Sequence, residues 1–351
     1  MHQTSSNLIR MEETSILLIY TGGTIGMIAD AKTGALVPFN FDNINKQIPE
    51  LKRFHYSLDF HCFDPLLDSS NMEPETWVSI GKIIKENYEN YDGFVVLHGS
   101  DTMAYTASAL SFMLENLNKP VIFTGSQLPL GVMRTDGREN LLTAIEIAAA
   151  KEDDTPIIPE VCIYFENRLM RANRTTKYNA ENFNAFVSGN LPLLADVGIY
   201  IKYNRNIILK PKFKKLKLHT NLDKNVAVLK LFPGITENVV RGFFNLPGLK
   251  GVVLESYGSG NAPSNQWFTE ILAEACENEI VIINVTQCMT GAVEQGKYET
   301  SVKLQEMGIV SGSDITTESA LAKMMYLIGE GFSDEKLKEL LGKPLRGEMT
   351  E

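Results

Sequence analysis

The chain is short of every feature that marks a disulfide-knit, metal-binding, membrane-spanning or polyanion-binding protein. Among its 351 residues are only four cysteines and five histidines. Cys62, Cys162, Cys276 and Cys288 show no C-x-x-C spacing, and a disulfide framework is unusual at this length, so four reduced and mostly buried thiols are expected. His2, His55, His61 and His219 stand outside any ligand-like spacing, so no metal site is indicated. No basic segment followed by a long apolar stretch opens the chain, and the run from Ile16 to Tyr20 is too short for a signal peptide or membrane span. A cytoplasmic location is expected. Cationic side chains are also in deficit, 33 against 43 acids. The resulting formal charge of −10 argues against nucleic acid as a partner and gives no preference for anionic membranes. Low-complexity segments and short internal repeats are absent.

What is present is ordinary globular composition, 44% hydrophobic and 22% charged, in a chain long enough for two compact domains. Apolar strand-like runs at Ile16–Tyr20, Leu58–Phe63, Gly93–Leu97, Pro120–Thr124 and Glu160–Phe165 alternate with helical patterns at Pro74–Tyr91, Thr102–Leu117 and Asp136–Ala150. This alternation predicts βαβ units and a parallel sheet. Between Tyr200 and Asp223 the pattern turns polar, with Lys210, Lys212, Lys214, Lys215 and Lys217 interleaved with Phe213, Leu216 and Leu218. A lysine-protected edge strand or hairpin is the favoured reading, ahead of a site for an anionic partner. The expected division is residues 1–203 for an N-terminal α/β catalytic domain, 204–224 for a linker or edge hairpin, and 225–351 for a smaller C-terminal α/β domain. In the last, Val226–Leu231, Gly251–Ser256 and Ile280–Val285 continue the βα alternation.

Two loops rich in glycine and hydroxyls follow buried-strand patterns directly: Thr21-Gly22-Gly23-Thr24, and His98-Gly99-Ser100-Asp101-Thr102. At the carboxyl ends of strands in an open α/β sheet, such loops converge on a crevice, and glycine lets backbone amides approach a ligand. An aliphatic hydroxyl attacks a carbonyl only with a neighbouring base. Asn173-Arg174-Thr175-Thr176-Lys177, read as a polar loop after Glu160–Phe165, supplies Lys177 at the same edge, within reach of Asp101 and a hydroxyl. Desolvation would lower the pKa of such a lysine and a neighbouring carboxylate would raise it. Gly22-Gly23 fits neither the phosphate-loop spacing nor the dinucleotide fingerprint, so no nucleotide cofactor is expected.

In combination, Thr21-Gly22-Gly23-Thr24-Ile25-Gly26, Asp68-Ser69-Ser70, His98-Gly99-Ser100-Asp101-Thr102-Met103-Ala104 and Asn173-Arg174-Thr175-Thr176-Lys177 resemble the bacterial type I, cytoplasmic L-asparaginases of the asparaginase/glutaminase family. The likeness continues through Ser256-Tyr257-Gly258, Thr286-Gln287-Cys288-Met289 and Leu345-Arg346-Gly347-Glu348. It implies a two-domain fold: a larger, mostly parallel, flavodoxin-like sheet domain and a smaller α/β domain. It also implies cofactor-free hydrolysis of L-asparagine to L-aspartate and ammonia, with subunits associated as a homodimer or homotetramer. Carried over by position, Thr24 is the expected nucleophile and Ser100, Asp101 and Lys177 the assisting group. Ser69, Ser70, Asp101 and Ser126 are expected around the substrate. A glutaminase-asparaginase or an asparaginase-like tRNA amidotransferase subunit is the nearer alternative, and a non-catalytic amino-acid sensor the more distant one.

Three departures from the family stand out. Ser100 occupies a position where threonine is usual, keeping the hydroxyl and losing the methyl that restricts χ1. The loop tyrosine found in many members is missing from Gly34-Ala35-Leu36-Val37-Pro38. Either that loop is only a lid, or a residue such as Tyr298 supplies the phenol. Finally, Glu255 stands where some members carry an arginine for a second, activating asparagine, while Thr176 and Cys288 are retained. An anion in that place weakens capture of a carboxylate, so reduced or absent substrate activation is expected.

Overall fold

A computed structural model describes residues 14–29, 36–38, 48–296 and 299–351. The first half is built on an eight-stranded sheet. Strands β1 (Thr14–Tyr20), β2 (Tyr56–Cys62), β3 (Gly93–Leu97), β4 (Val121–Thr124) and β5 (Val161–Phe165) run parallel. Strands β6 (Arg168–Arg171), β7 (Ala195–Val197) and β8 (Ile201–Tyr203) extend the sheet antiparallel. The order across it is β8-β7-β6-β5-β4-β3-β1-β2. Every residue of β3, β4 and β5 is buried, because helices cover both faces. Leu17, Ile19, Phe94 and Val96 face α1 (Pro74–Asn87) and α2 (Met103–Met113). Their neighbours Ile16, Leu18, Val95 and Leu97 face α3 (Gly137–Ala149). This is the two-residue period of a strand buried on both sides.

The second half is a four-stranded parallel sheet of β9 (Val226–Lys230), β10 (Gly251–Ser256), β11 (Val281–Thr286) and β12 (Val310–Ser311), in that order. Helices α4 (Glu237–Phe244) and α5 (Gln266–Glu277) cover one face through Val240, Phe244, Phe268 and Leu272. Helix α6 (Thr317–Gly329) covers the other face, and α7 (Asp334–Leu341) packs beside it. Helix α6 also packs on α2, with Phe112 and Tyr326 stacked at 6.2 Å, so the two halves share one continuous core.

Several local expectations change. Helix α2 stops at Met113 instead of reaching Leu117: Leu114–Glu115 pairs with Lys217–Leu218, and Asn116 adopts φ 62. Within residues 200–223, Ile201–Tyr203 forms β8 and Lys217–Leu218 a second short strand, and the backbone from Lys210 to Lys215 is irregular. Only Cys162 is buried; Cys62 and Cys288 are exposed and Cys276 is half-buried. Cys62 ends β2, which lies at one edge of the sheet among the described residues. The segment from Asn173 to Lys177 is not a polar loop following β5. Strand β6 intervenes, Asn173, Arg174 and Thr175 are buried, and Thr175–Lys177 pairs with Phe186–Ser188.

Candidate active site

The loops leaving β1, β2 and β3 are joined through their backbones. Thr21 is buried, and its N–H and hydroxyl both donate to the Leu97 carbonyl, at 3.0 and 3.1 Å. Gly23 takes φ +89, and a Cβ there would lie 2.5 Å from Cα of Gly99. A Cβ on Gly99 would lie 2.6 Å from Ser69 Oγ. Only glycine allows this approach, and it brings Thr24 and Ser100, each next to one of the touching glycines, to the same crevice. Thr24 opens a short turn, Thr24–Gly26, half-buried, and its hydroxyl has no hydrogen-bond partner among the described residues.

Lys177 closes the group from the side. Its Nζ donates to Ser100 Oγ at 2.9 Å and to Asp101 Oδ1 at 2.6 Å. The lysine is largely covered, with 16% of its side chain exposed against 66% for Asp101, so the carboxylate is open to solvent. The short strand carrying Lys177 is anchored from below by Arg174, which holds both Asp314 oxygens at 2.8 Å and the Glu348 carbonyl at 3.0 Å. The lysine is thus positioned by residues of the second half.

The other expected residues divide. Ser69 is buried, and its carbonyl accepts from the Thr102 hydroxyl at 2.7 Å. Ser70 is exposed, with its N–H and hydroxyl held by Asp68 Oδ1 at 2.8 and 2.7 Å. The Ser126 hydroxyl is committed to the Leu128 carbonyl at 2.6 Å, within its own turn. Tyr298, Gly34 and Ala35 lie outside the described residues, while the Leu36–Pro38 backbone pairs with Met27–Ala29.

Gln127 escaped the sequence reading. It accepts from Ser100 Oγ at 3.3 Å and donates to the carbonyls of Ala180 and Asn182 at 3.3 and 3.0 Å. Its signal was positional: it follows Ser126 in the loop after β4, at the same sheet edge. His98, fully buried, donates from Nδ1 to the Gly99 carbonyl at 2.7 Å, and burial lowers its pKa to about 4, keeping the ring neutral. Beside Lys177, the Thr176 hydroxyl donates to Glu318, whose carboxyl burial pushes above the usual range. Glu255 accepts from Thr317 at 2.6 Å and pairs with Lys230 at 3.0 Å.

Chemically, two hydroxyls, an amine and a carboxylate at the end of a glycine-lined crevice are the parts of a nucleophilic acyl-transfer site. Among the described residues no cluster of histidine, cysteine, aspartate and glutamate could hold a metal ion, and no helix is long and apolar enough to cross a membrane.

Residues 15–209 match the family described as Asparaginase, N-terminal, and residues 225–341 that described as Glutaminase/Asparaginase C-terminal domain. The chain is 44% identical over 344 residues to L-asparaginase 1 of Escherichia coli, covering 97% of this chain and 99% of that protein. It is 43% identical to the 60 kDa lysophospholipase of Mus musculus, over 96% of this chain and 63% of that longer protein. The crystal structure of L-asparaginase I from Vibrio cholerae superimposes with a TM-score of 0.86 at 42% identity, covering 96% of this chain and 99% of the other. The chain belongs to the asparaginase family.

Proposed function

We propose that the protein is an amidohydrolase converting L-asparagine to L-aspartate and ammonia. The observation that carries this is the Lys177 amine set between the Ser100 hydroxyl and the Asp101 carboxylate, beside the two touching glycine loops. Asp101, the exposed carboxylate, receives the substrate ammonium. Ser69, Ser70 and backbone amides of the loops receive its α-carboxylate. The Thr24 hydroxyl attacks the side-chain amide carbon. The C–N bond breaks, and ammonia leaves with a proton relayed through Ser100 and Lys177. Water then cleaves the Thr24 ester to give aspartate. Backbone amides near Ser100 and Ser126 face the oxyanion, where each donor is worth about 2–4 kcal/mol in comparable sites. Tyr298 is assigned to assist Thr24 in place of the missing loop tyrosine.

A second reading of the nucleophile has its own support, since Ser100 and not Thr24 touches the lysine. Mass spectrometry after rapid acid quench separates the two: an acyl adduct on Thr24 supports the assignment, and one on Ser100 reverses it. The substrate assignment is tested by ammonia release from asparagine and glutamine, since a methylene changes binding by about 1–3 kcal/mol. Preference for glutamine would reject it. The proposal extends to a cytoplasmic homodimer or homotetramer, checked by light scattering, and to the division at 1–203, 204–224 and 225–351.

A further inference from the structure

The buried imidazole of His98 stands directly before the catalytic loop and takes no part in the reaction as proposed above. Its backbone is fixed from two sides. The His98 N–H donates to the Thr124 carbonyl at 3.0 Å, and Gly125 lies so close that a Cβ there would meet the His98 carbonyl oxygen at 2.5 Å. The ring rests against Phe123, with centroids 6.0 Å apart. Nδ1 is 2.7 Å from the Gly99 carbonyl oxygen, while Nε2 is buried without a partner among the described residues. A carbonyl only accepts and a neutral imidazole has one N–H, so the proton is on Nδ1 and Nε2 keeps a bare lone pair. An orphaned buried acceptor costs stability. Packing alone therefore gives histidine no advantage over an apolar residue, since the bond to Gly99 is offset by the bare Nε2.

What the bond to Gly99 controls is the direction of a peptide. In a planar trans peptide the N–H of one residue lies antiparallel to the C=O of the residue before it. The Gly99 carbonyl turns inward to His98, so the Ser100 N–H turns the opposite way, toward the crevice. That N–H has no acceptor among the described residues. Residue 99 is held to glycine because Ser69 leaves no room for a Cβ, and glycine readily permits the rotation that would turn this peptide over. Turned over, the Gly99 oxygen would face the crevice and repel an oxyanion. The bond from His98 opposes that rotation.

We infer that His98 is a positioning residue for the amidohydrolase reaction, its Nδ1–H locking the Gly99–Ser100 peptide so that the Ser100 N–H is directed at the oxyanion of the tetrahedral intermediate. The inference rests on the reaction proposed above. His98 touches neither substrate nor nucleophile and acts only through that peptide. Because the oxyanion forms only after attack on the amide carbon, loss of the lock lowers kcat and leaves KM little changed.

Three variants test this, since the side-chain amide nitrogen of asparagine takes the place of Nδ1 and that of glutamine the place of Nε2. His98→Leu removes the donor, His98→Gln displaces it, and His98→Asn keeps it. Ammonia release from asparagine and urea unfolding are measured on the full chain. In His98→Leu and His98→Gln, kcat is expected to fall roughly 10- to 100-fold with KM within about twofold of wild type. In His98→Asn it returns to within a few-fold, although the smaller side chain leaves a cavity and makes this the least stable of the three. A merely structural role predicts activity that follows stability. Wild-type kcat in His98→Leu, no recovery in His98→Asn, or a loss carried by KM overturns the inference. Nitrogen-15 NMR of the histidine-labelled wild type at pH 7, with His98 assigned by its absence from a variant, is expected to show Nδ1 protonated and Nε2 bare; the opposite tautomer overturns the inference whatever the kinetics. Absence of asparagine turnover in the wild type, by contrast, would defeat the proposed reaction, and this inference with it.

Discussion

Gly99→Ala is the sharpest probe of the way the three loops meet. Gly99 does not require a left-handed backbone, so alanine is tolerated conformationally and the whole effect comes from one methyl group. That methyl would lie 2.6 Å from Ser69 Oγ and 2.7 Å from Ser69 Cβ. Rotation about χ1 moves Oγ away but leaves Cβ in place. Ser69 cannot withdraw freely, being 4% exposed with its carbonyl tied to Thr102. The backbone must therefore shift, and overpacking of this kind costs about 1–3 kcal/mol. Moving the loop by even part of an ångström displaces Ser100 and Asp101 from Lys177, and a misplacement of about 1 Å lowers turnover on the order of 100-fold. Urea unfolding and kcat/KM are measured together, alongside the double variant Gly99→Ala with Ser69→Gly, which removes the opposing Cβ. Stability should fall in the single variant and return in the double, whereas activity returns only in part, because Ser69 is itself assigned to substrate. Wild-type stability and turnover in Gly99→Ala, or no recovery of stability in the double, would refute contact between these loops.

Thr24→Ala should lower turnover by several orders of magnitude with little change in unfolding, since its hydroxyl holds no partner among the described residues; near-normal activity rejects it as nucleophile. Ser100→Thr adds only a methyl and keeps the hydroxyl, so turnover within a few-fold of wild type is expected, and its abolition would mean that the serine rotamer is essential. The folded-state pKa of His98, about 4, lies below the 6.5 usual for a histidine. The unfolded chain therefore takes up the proton first, and stability present above pH 6.5 is lost as pH falls toward 4, by on the order of 3 kcal/mol. Urea unfolding at pH 7 and 4.5 should show a smaller drop in His98→Gln, and an equal drop in both proteins defeats this origin. With Glu255 already bound to Thr317 and Lys230, velocity should be hyperbolic in asparagine; a sigmoidal curve abolished by Thr176→Ala would contradict it.

Sequence periodicity made β3, β4 and β5 legible because they are buried on both faces, so continuous apolar runs such as Phe94 to Leu97 have few other readings. It was less informative where partners distant in sequence decide the outcome. The end of α2 depends on Lys217–Leu218, a strand about a hundred residues away, and the exposure of Cys62 depends on β2 lying at the sheet edge. The Asn173–Lys177 segment looked like a polar loop because Arg174 reads as solvated until Asp314, 140 residues on, covers it.

For the site, residue types and glycine spacing by themselves gave the two loops, their place at strand ends, and Lys177 near Asp101 and a hydroxyl, since backbone freedom and side-chain chemistry are local properties, while the resemblance to the family singled out Thr24 and Ser100. Only the tertiary structure decided that Lys177 rests between Ser100 and Asp101, that Gln127 joins them, and that Ser126 spends its hydroxyl in its own turn. Hydrogen bonds and packing between segments far apart in the chain have no local signature, and the fold alone supplies them.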